Sequence, residues 1–121
     1  MPELVRFAIL GCGHIGKRHA ELVQKHDESE LVATIDIADA DKLQILNFNA
    51  PHFKNLDDFL ASELSVDVVN ICTPNGLHAS QAVACLNKGI HVIIEKPIAL
   101  TTVDANAILA AAVASGKQVF P

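Results

Sequence analysis

Gly11, Gly13 and Gly16 stand in the run Gly-Cys-Gly-His-Ile-Gly, directly after the apolar stretch Val5–Leu10. A second apolar run, Leu31–Ile35, ends at Asp36, twenty residues beyond the last of these glycines. Singly, each glycine reads as an ordinary turn. Framed by strand, helix, strand and a terminal acid, the three together read as a cradle for a dinucleotide. Gly11 lets the chain turn off its strand, Gly13 lets backbone approach a pyrophosphate, and Gly16 lets a helix pack tightly on the sheet. The helix predicted to begin near His14, with Ile15 behind it, offers unpaired N–H groups and a partial positive charge to the phosphates. Asp36 is placed to accept hydrogen bonds from the adenosine ribose, and its charge repels a 2′-phosphate. Ile37, Ala38 and Asp39 add no cation nearby, and Lys42 reaches the site only if its loop folds back. NAD is therefore expected in preference to NADP.

Two further clusters follow apolar runs. Thr73-Pro74-Asn75-Gly76-Leu77-His78 comes after Val66–Cys72. Pro74 ends that strand because it cannot donate to the ladder. Asn75 reads as a cap for a helix starting at Gly76 or Leu77. His78, in the first turn, is either a hydrogen-bonding group for a ligand or a surface histidine. Glu95-Lys96-Pro97 comes after Val92–Ile94. It is either a solvated edge or part of a site. In a site, Lys96 donates to a substrate hydroxyl oxygen or holds a proton while a hydride leaves. Pro97 fixes the backbone behind that lysine, and a cis bond is one way of doing so.

Cys12, Cys72 and Cys85 are odd in number and show no CxxC spacing, against a disulfide framework or a zinc site. Cys72 and Cys85 read as small apolar packing. Cys12 is a filler between two glycines, or a reactive thiol if the helix N-terminus favours its thiolate. The six histidines are scattered without a ligand-like spacing, so no metal is expected.

These groups need a frame, and the hydrophobic pattern supplies one. Beyond the first strand–helix–strand unit, the pattern predicts a helix over Asp39–Phe48 and a short strand near His52–Lys54. A helix face follows at Leu56, Phe59 and Leu60, ending near Leu64, and then the strand Val66–Cys72. Ala79, Ala82, Val83 and Leu86 mark one helix stripe, closed by Gly89. His91–Glu95 is the next strand. Ala105, Ile108, Leu109 and Ala112 mark another stripe, closed by Gly116, before a last strand at Val119–Phe120. Strand alternating with helix predicts a doubly wound parallel sheet, three layers αβα, of the Rossmann type. On such a sheet the four polar clusters fall together at the carboxyl edge, where ligands bind.

The chain has 121 residues, the length of one domain, and residues 1–121 are read as a single dinucleotide-binding unit. Half its residues are hydrophobic, yet the aromatics are five phenylalanines, which suits an aliphatic core between a parallel sheet and its helices. A formal charge of −5 argues against nucleic acid, and no Lys/Arg cluster suggests a membrane surface. Neither a transmembrane run nor a signal peptide is expected, which points to the cytoplasm.

The glycine loop, Asp36, Thr-Pro-Asn-x-x-His at 73–78 and Glu-Lys-Pro at 95–97, in that order and spacing, resemble the N-terminal half of the glucose–fructose oxidoreductase/inositol dehydrogenase (Gfo/Idh/MocA) family. The resemblance covers the entire chain, and over Val66–Leu100 it leans towards the nucleotide-sugar 3-dehydrogenases. It implies an NAD(P)-dependent oxidoreductase acting on a ring hydroxyl of a sugar, nucleotide sugar or cyclitol. Carried over, Gly11, Gly13, His14, Ile15 and Gly16 would surround the pyrophosphate, and Asp36 the adenosine ribose. Thr73, Pro74, Asn75 and His78 would line the nicotinamide side. Glu95 would contact the cofactor ribose, Lys96 would be the catalytic lysine, and the bond before Pro97 would be cis. The family continues into a second domain that supplies the substrate pocket and usually a dimer interface. This chain is accordingly expected to be a piece of a longer protein, able to bind cofactor but not to turn over substrate, and prone to self-association. A non-catalytic dinucleotide-binding regulatory module is the alternative from another class. A methyltransferase on the same fold fits the Glu-Lys-Pro cluster poorly.

Overall fold

The apolar run that ends at Leu10 is a central strand of the sheet, with Ala8, Ile9 and Leu10 all buried. The computed structural model describes residues 3–121. In chain order the elements are β1 (Val5–Leu10), α1 (His14–Lys25), β2 (Ser29–Ile35), β3 (His52–Phe53), α2 (Leu56–Ala61), β4 (Val68–Ile71), α3 (His78–Asn87), β5 (His91–Ile94), α4 (Thr102–Ser115) and β6 (Val119–Phe120). The strands form one sheet in the order β3-β2-β1-β4-β5-β6, and every neighbouring pair is parallel. The fold is the Rossmann-type α/β fold that the alternation predicts.

Residues two apart along the strands point to the same face, and this divides the core. Leu10, Ile35, Ile71 and Ile94 pack beneath Phe59 of α2, Leu86 of α3 and Ile108 of α4. Ile9 faces the other way, onto Cys12, Ala20 of α1, Ile45 and Phe48. Each fully buried aliphatic side chain contributes about 1.5–3 kcal/mol, and the strand that leads into the glycine loop is packed on both faces.

Several boundaries differ from the sequence reading. No α-helix forms over 39–48. Leu43 N bonds Asp39 O at 3.1 Å and Ile45 N bonds Ala40 O at 3.1 Å, but Gln44 takes a left-handed conformation (φ 60°) that a helix cannot propagate through. A 3-10 turn at Leu46–Phe48 completes the loop. Ile45 and Phe48 are buried because the loop tucks under α1, where Gln24 Nε2 donates to Phe48 O at 2.8 Å. The helix expected to reach Leu64 ends at Ala61, with Glu63 left-handed (φ 60°). The strand expected over Val66–Cys72 spans Val68–Ile71. Asn75–Leu77 form a 3-10 turn and α3 starts at His78; the Asn75 side chain makes no capping bond. Leu109 stands 60% exposed, and Ile108 and Ala111 form the buried stripe of α4 instead. Gly89 and Gly116 close α3 and α4 with positive φ, as predicted. Among the described residues, no helix is long and apolar enough to cross a membrane.

Candidate functional site at the carboxyl edge of the sheet

Because every strand runs the same way, the residues that follow them open on one edge: Gly11 after β1, Asp36 after β2, Lys54 after β3, Cys72 and Thr73 after β4, Glu95 after β5. Gly11 has φ +89°, and a Cβ there would lie 2.8 Å from the Cys72 carbonyl carbon and oxygen. A Cβ on Gly16 would lie 1.8 Å from Gly11 O, so α1 starts in direct contact with the loop that precedes it. Gly13 is different: nothing lies within 4 Å of where its Cβ would stand. Gly13 begins α1 without any side-chain cap, and no acidic residue occupies the first turn. The first N–H groups of that helix, beside the exposed His14 and Ile15, therefore have no side chain competing for them.

Asp36 is pinned by two backbone amides. Cys12 N donates to its Oδ2 at 2.8 Å and Ala38 N to its Oδ1 at 2.9 Å. The carboxylate thus joins β2 to the glycine loop, and each oxygen retains a lone pair for a further donor. A cleft of about 500 Å³ opens here, lined by Gly11, Gly13, Asp36, Ile37, Thr73 and Pro74 among others. Lys54 lines it as well. Its ammonium bonds the Asp39 carboxylate and holds that group below the usual carboxylate range.

The second group lies beside the first. The Thr73 hydroxyl donates to Gln81 Oε1 on α3. Asn75 and Pro74 are exposed. His78 is 1% exposed, with Nε2 2.7 Å from Thr73 O and Nδ1 2.8 Å from Pro97 O. A neutral imidazole carries one N–H and donates to one of these carbonyls at a time; the ring itself fills the gap between the Thr73 loop and the Glu95–Pro97 loop. Glu95 is partly buried, Lys96 is exposed, and the Lys96–Pro97 bond is cis, as expected. Cys12 is buried, and its thiol is pushed up to about 12, first by burial and then by the Asp36 charge. Of its two readings, packing is the one this environment favours.

His19, Asn70, Lys54 and Gln81 also belong to this edge and were not singled out from sequence. Their signals are positional. His19 lies three residues past Gly16 and four before Val23, both buried on α1, and Asn70 interrupts an otherwise apolar strand. Lys54 follows the shortest of the strands that open on the edge, and no spacing rule reaches it.

A family model described as an oxidoreductase family with an NAD-binding Rossmann fold matches residues 5–121. The chain is 35% identical over 107 residues to 4-carboxy-2-hydroxymuconate-6-semialdehyde dehydrogenase from Sphingobium sp., covering 87% of this chain and 34% of the relative. It is 36% identical over 115 residues to scyllo-inositol 2-dehydrogenase (NADP(+)) IolU from Bacillus subtilis, covering 93% and 35%. The crystal structure of the WlbA dehydrogenase from Bordetella pertussis, in complex with NADH and UDP-GlcNAcA, superposes with a TM-score of 0.88 at 34% identity, over 98% of this chain and 34% of that one. The chain spans about a third of the length of the relatives it matches.

Proposed function

The chain belongs to the Gfo/Idh/MocA oxidoreductase family through its NAD(P)-binding Rossmann domain, and on that premise we propose that it is the cofactor-holding part of an NAD-dependent dehydrogenase. The substrate class is a sugar, nucleotide sugar or cyclitol oxidised at a ring hydroxyl, in the cytoplasm. The observation that carries the reading is the open space at Gly13, set between an uncapped helix N-terminus and a fixed carboxylate. A pyrophosphate fits that space: it requires backbone N–H donors and no Cβ in the way.

Gly11, Gly13, His14, Ile15 and Gly16 then surround the pyrophosphate, and Asp36 holds the adenosine ribose in the 500 Å³ cleft. Thr73, Pro74 and Asn75 flank the nicotinamide side, with His78 fixing their loop from beneath. Glu95 accepts from the nicotinamide-side ribose. A bound nicotinamide supplies the hydride acceptor. Lys96 is the catalytic residue of this part, its side-chain nitrogen placed to hydrogen-bond the substrate hydroxyl oxygen and to take up the hydroxyl proton as the hydride leaves.

Two features support NAD over NADP. The Asp36 carboxylate repels a 2′-phosphate, and Lys54, the cation lining the cleft, is already engaged by Asp39. The chain has no Trp or Tyr, so bound reduced nicotinamide is readable by fluorescence with little protein background. Titration with NADH should give saturable enhancement, and NADPH should bind at least roughly tenfold more weakly, a difference of about 1.4 kcal/mol. Equal binding of both would overturn the preference; binding of neither would overturn the cofactor reading of the site.

A further inference from the structure

Asn70 lies in the middle of β4, a central strand, and is 5% exposed among aliphatic neighbours. Packing gives no reason for an amide there. Its Nδ2 lies 3.0 Å from His19 Nδ1, and His19 Nε2 lies 2.6 Å from Glu95 Oε1. A continuous polar chain therefore runs from the sheet interior through α1 to the residue before Lys96.

The proton order in this chain is constrained. An ionised carboxylate only accepts, so the hydrogen must be on His19 Nε2. A neutral ring then has a bare Nδ1, which accepts from the Asn70 amide nitrogen. Turning the amide over would present its oxygen to Nδ1 and require protons on both ring nitrogens; Nε2 would still donate to Glu95. In the first arrangement Asn70 Oδ1 is buried with no partner among the described residues. The amide thus forgoes one bond while orienting the ring with the other.

We propose that His19 is a positioning residue for Glu95, and that Asn70 orients its ring. One carboxylate oxygen of Glu95 is held by His19, which leaves Oε2 for the nicotinamide-side ribose. His19, Asn70 and Glu95 all lie outside the lining of the 500 Å³ cleft, and His19 and Asn70 act through Glu95 because His19 Nε2 touches its carboxylate. Because His19 is carried on α1, the helix whose N-terminus receives the pyrophosphate also fixes the start of the Glu95–Lys96–Pro97 loop. This assignment rests on the reading of Glu95 as the nicotinamide-side contact.

The test compares NADH with ADP, which lacks the nicotinamide ribose, on the unmodified chain, His19→Leu and His19→Gln. His19→Leu should weaken NADH roughly tenfold, the share of a charge-assisted hydrogen bond that Glu95 passes on, and leave ADP within about twofold. His19→Gln, whose amide accepts from Asn70 and donates to Glu95, should recover most of the NADH affinity. No loss of NADH binding, or equal losses for NADH and ADP, would overturn the proposal. If the unmodified chain binds neither ligand, the cofactor reading fails separately, and the ¹⁵N resonances of the His19 ring decide the linkage. A protonated Nε2 that becomes a tautomer average in Glu95→Leu upholds it. An averaged ring in the unmodified chain overturns it.

Discussion

Lys96 sits between two anchored neighbours. Glu95 is bonded through its side chain to His19, and the Pro97 carbonyl packs against the buried His78 ring, 2.8 Å from its Nδ1. The main chain around the lysine is held from both sides while its own side chain is exposed, which suits a group that must meet a mobile substrate from a fixed base. In a catalytically competent form of the protein, Lys96→Ala should lower kcat by roughly 10²–10⁴, the range of a lost acid–base group, with NAD affinity little changed. Equal falls in turnover and affinity, measured by steady-state kinetics and NADH titration, would remove Lys96 from proton transfer. A regulatory module would lose nothing with this lysine. The glycines, Asp36 and the Glu-Lys-Pro cluster were legible because their types and spacing match a chemical task. His19 and Asn70 were not, since a histidine and an asparagine on buried faces declare themselves only when three elements meet.

Two glycines at the start of helix α1 have opposite surroundings. Alanine at Gly16 would drive a methyl into Gly11 O, a backbone atom that cannot swing aside; destabilisation of at least about 2–3 kcal/mol is expected. Alanine at Gly13 meets open space and should cost less than about 1 kcal/mol, the scale of an N-cap change. Its methyl would nevertheless stand where the pyrophosphate is proposed to lie, so NADH affinity should fall more than roughly tenfold. Thermal melts and titrations of the two variants check the contrast. Similar melting losses for both would mean that Gly13 is structural as well. Element types and order followed from hydrophobic period, and the exception is instructive. Asp39–Phe48 has helical periodicity because Ile45 and Phe48 must reach the same core patch, yet a left-handed Gln44 lets a loop make that contact. Periodicity records which side chains are buried, and here tertiary packing rather than a helix buried them.

For the molecule as a whole, the three thiols tie stability to pH. Cys85 is pushed up to about 12 by burial alone, from an ordinary value of 9.0; Cys12 and Cys72 reach about 12 as well, with burial the first cause. A pKa raised in the folded state means that the unfolded chain releases its proton first. The stabilisation is complete below about pH 9 and is lost as pH rises from there towards 12. Each thiol contributes at most about 1.4 kcal/mol per pH unit within that window. Melting temperatures at pH 8 and pH 10.5 should fall more steeply for the unmodified chain than for Cys85→Ala; parallel declines would assign the alkaline sensitivity to other groups. The strand order has a consequence of another kind, for the birth of the chain. β1 pairs with β2 on one side and with β4 on the other, Phe7 opposite Val68 and Leu10 opposite Ile71. A ribosome adding about 5–20 residues per second takes about 3–12 s to travel from one partner to the other. Through those seconds the strand that becomes the middle of the finished sheet has an open edge. The nascent chain is therefore most in need of a chaperone before residue 68 emerges, along the same line of hydrogen bonds that later gives the folded domain its centre.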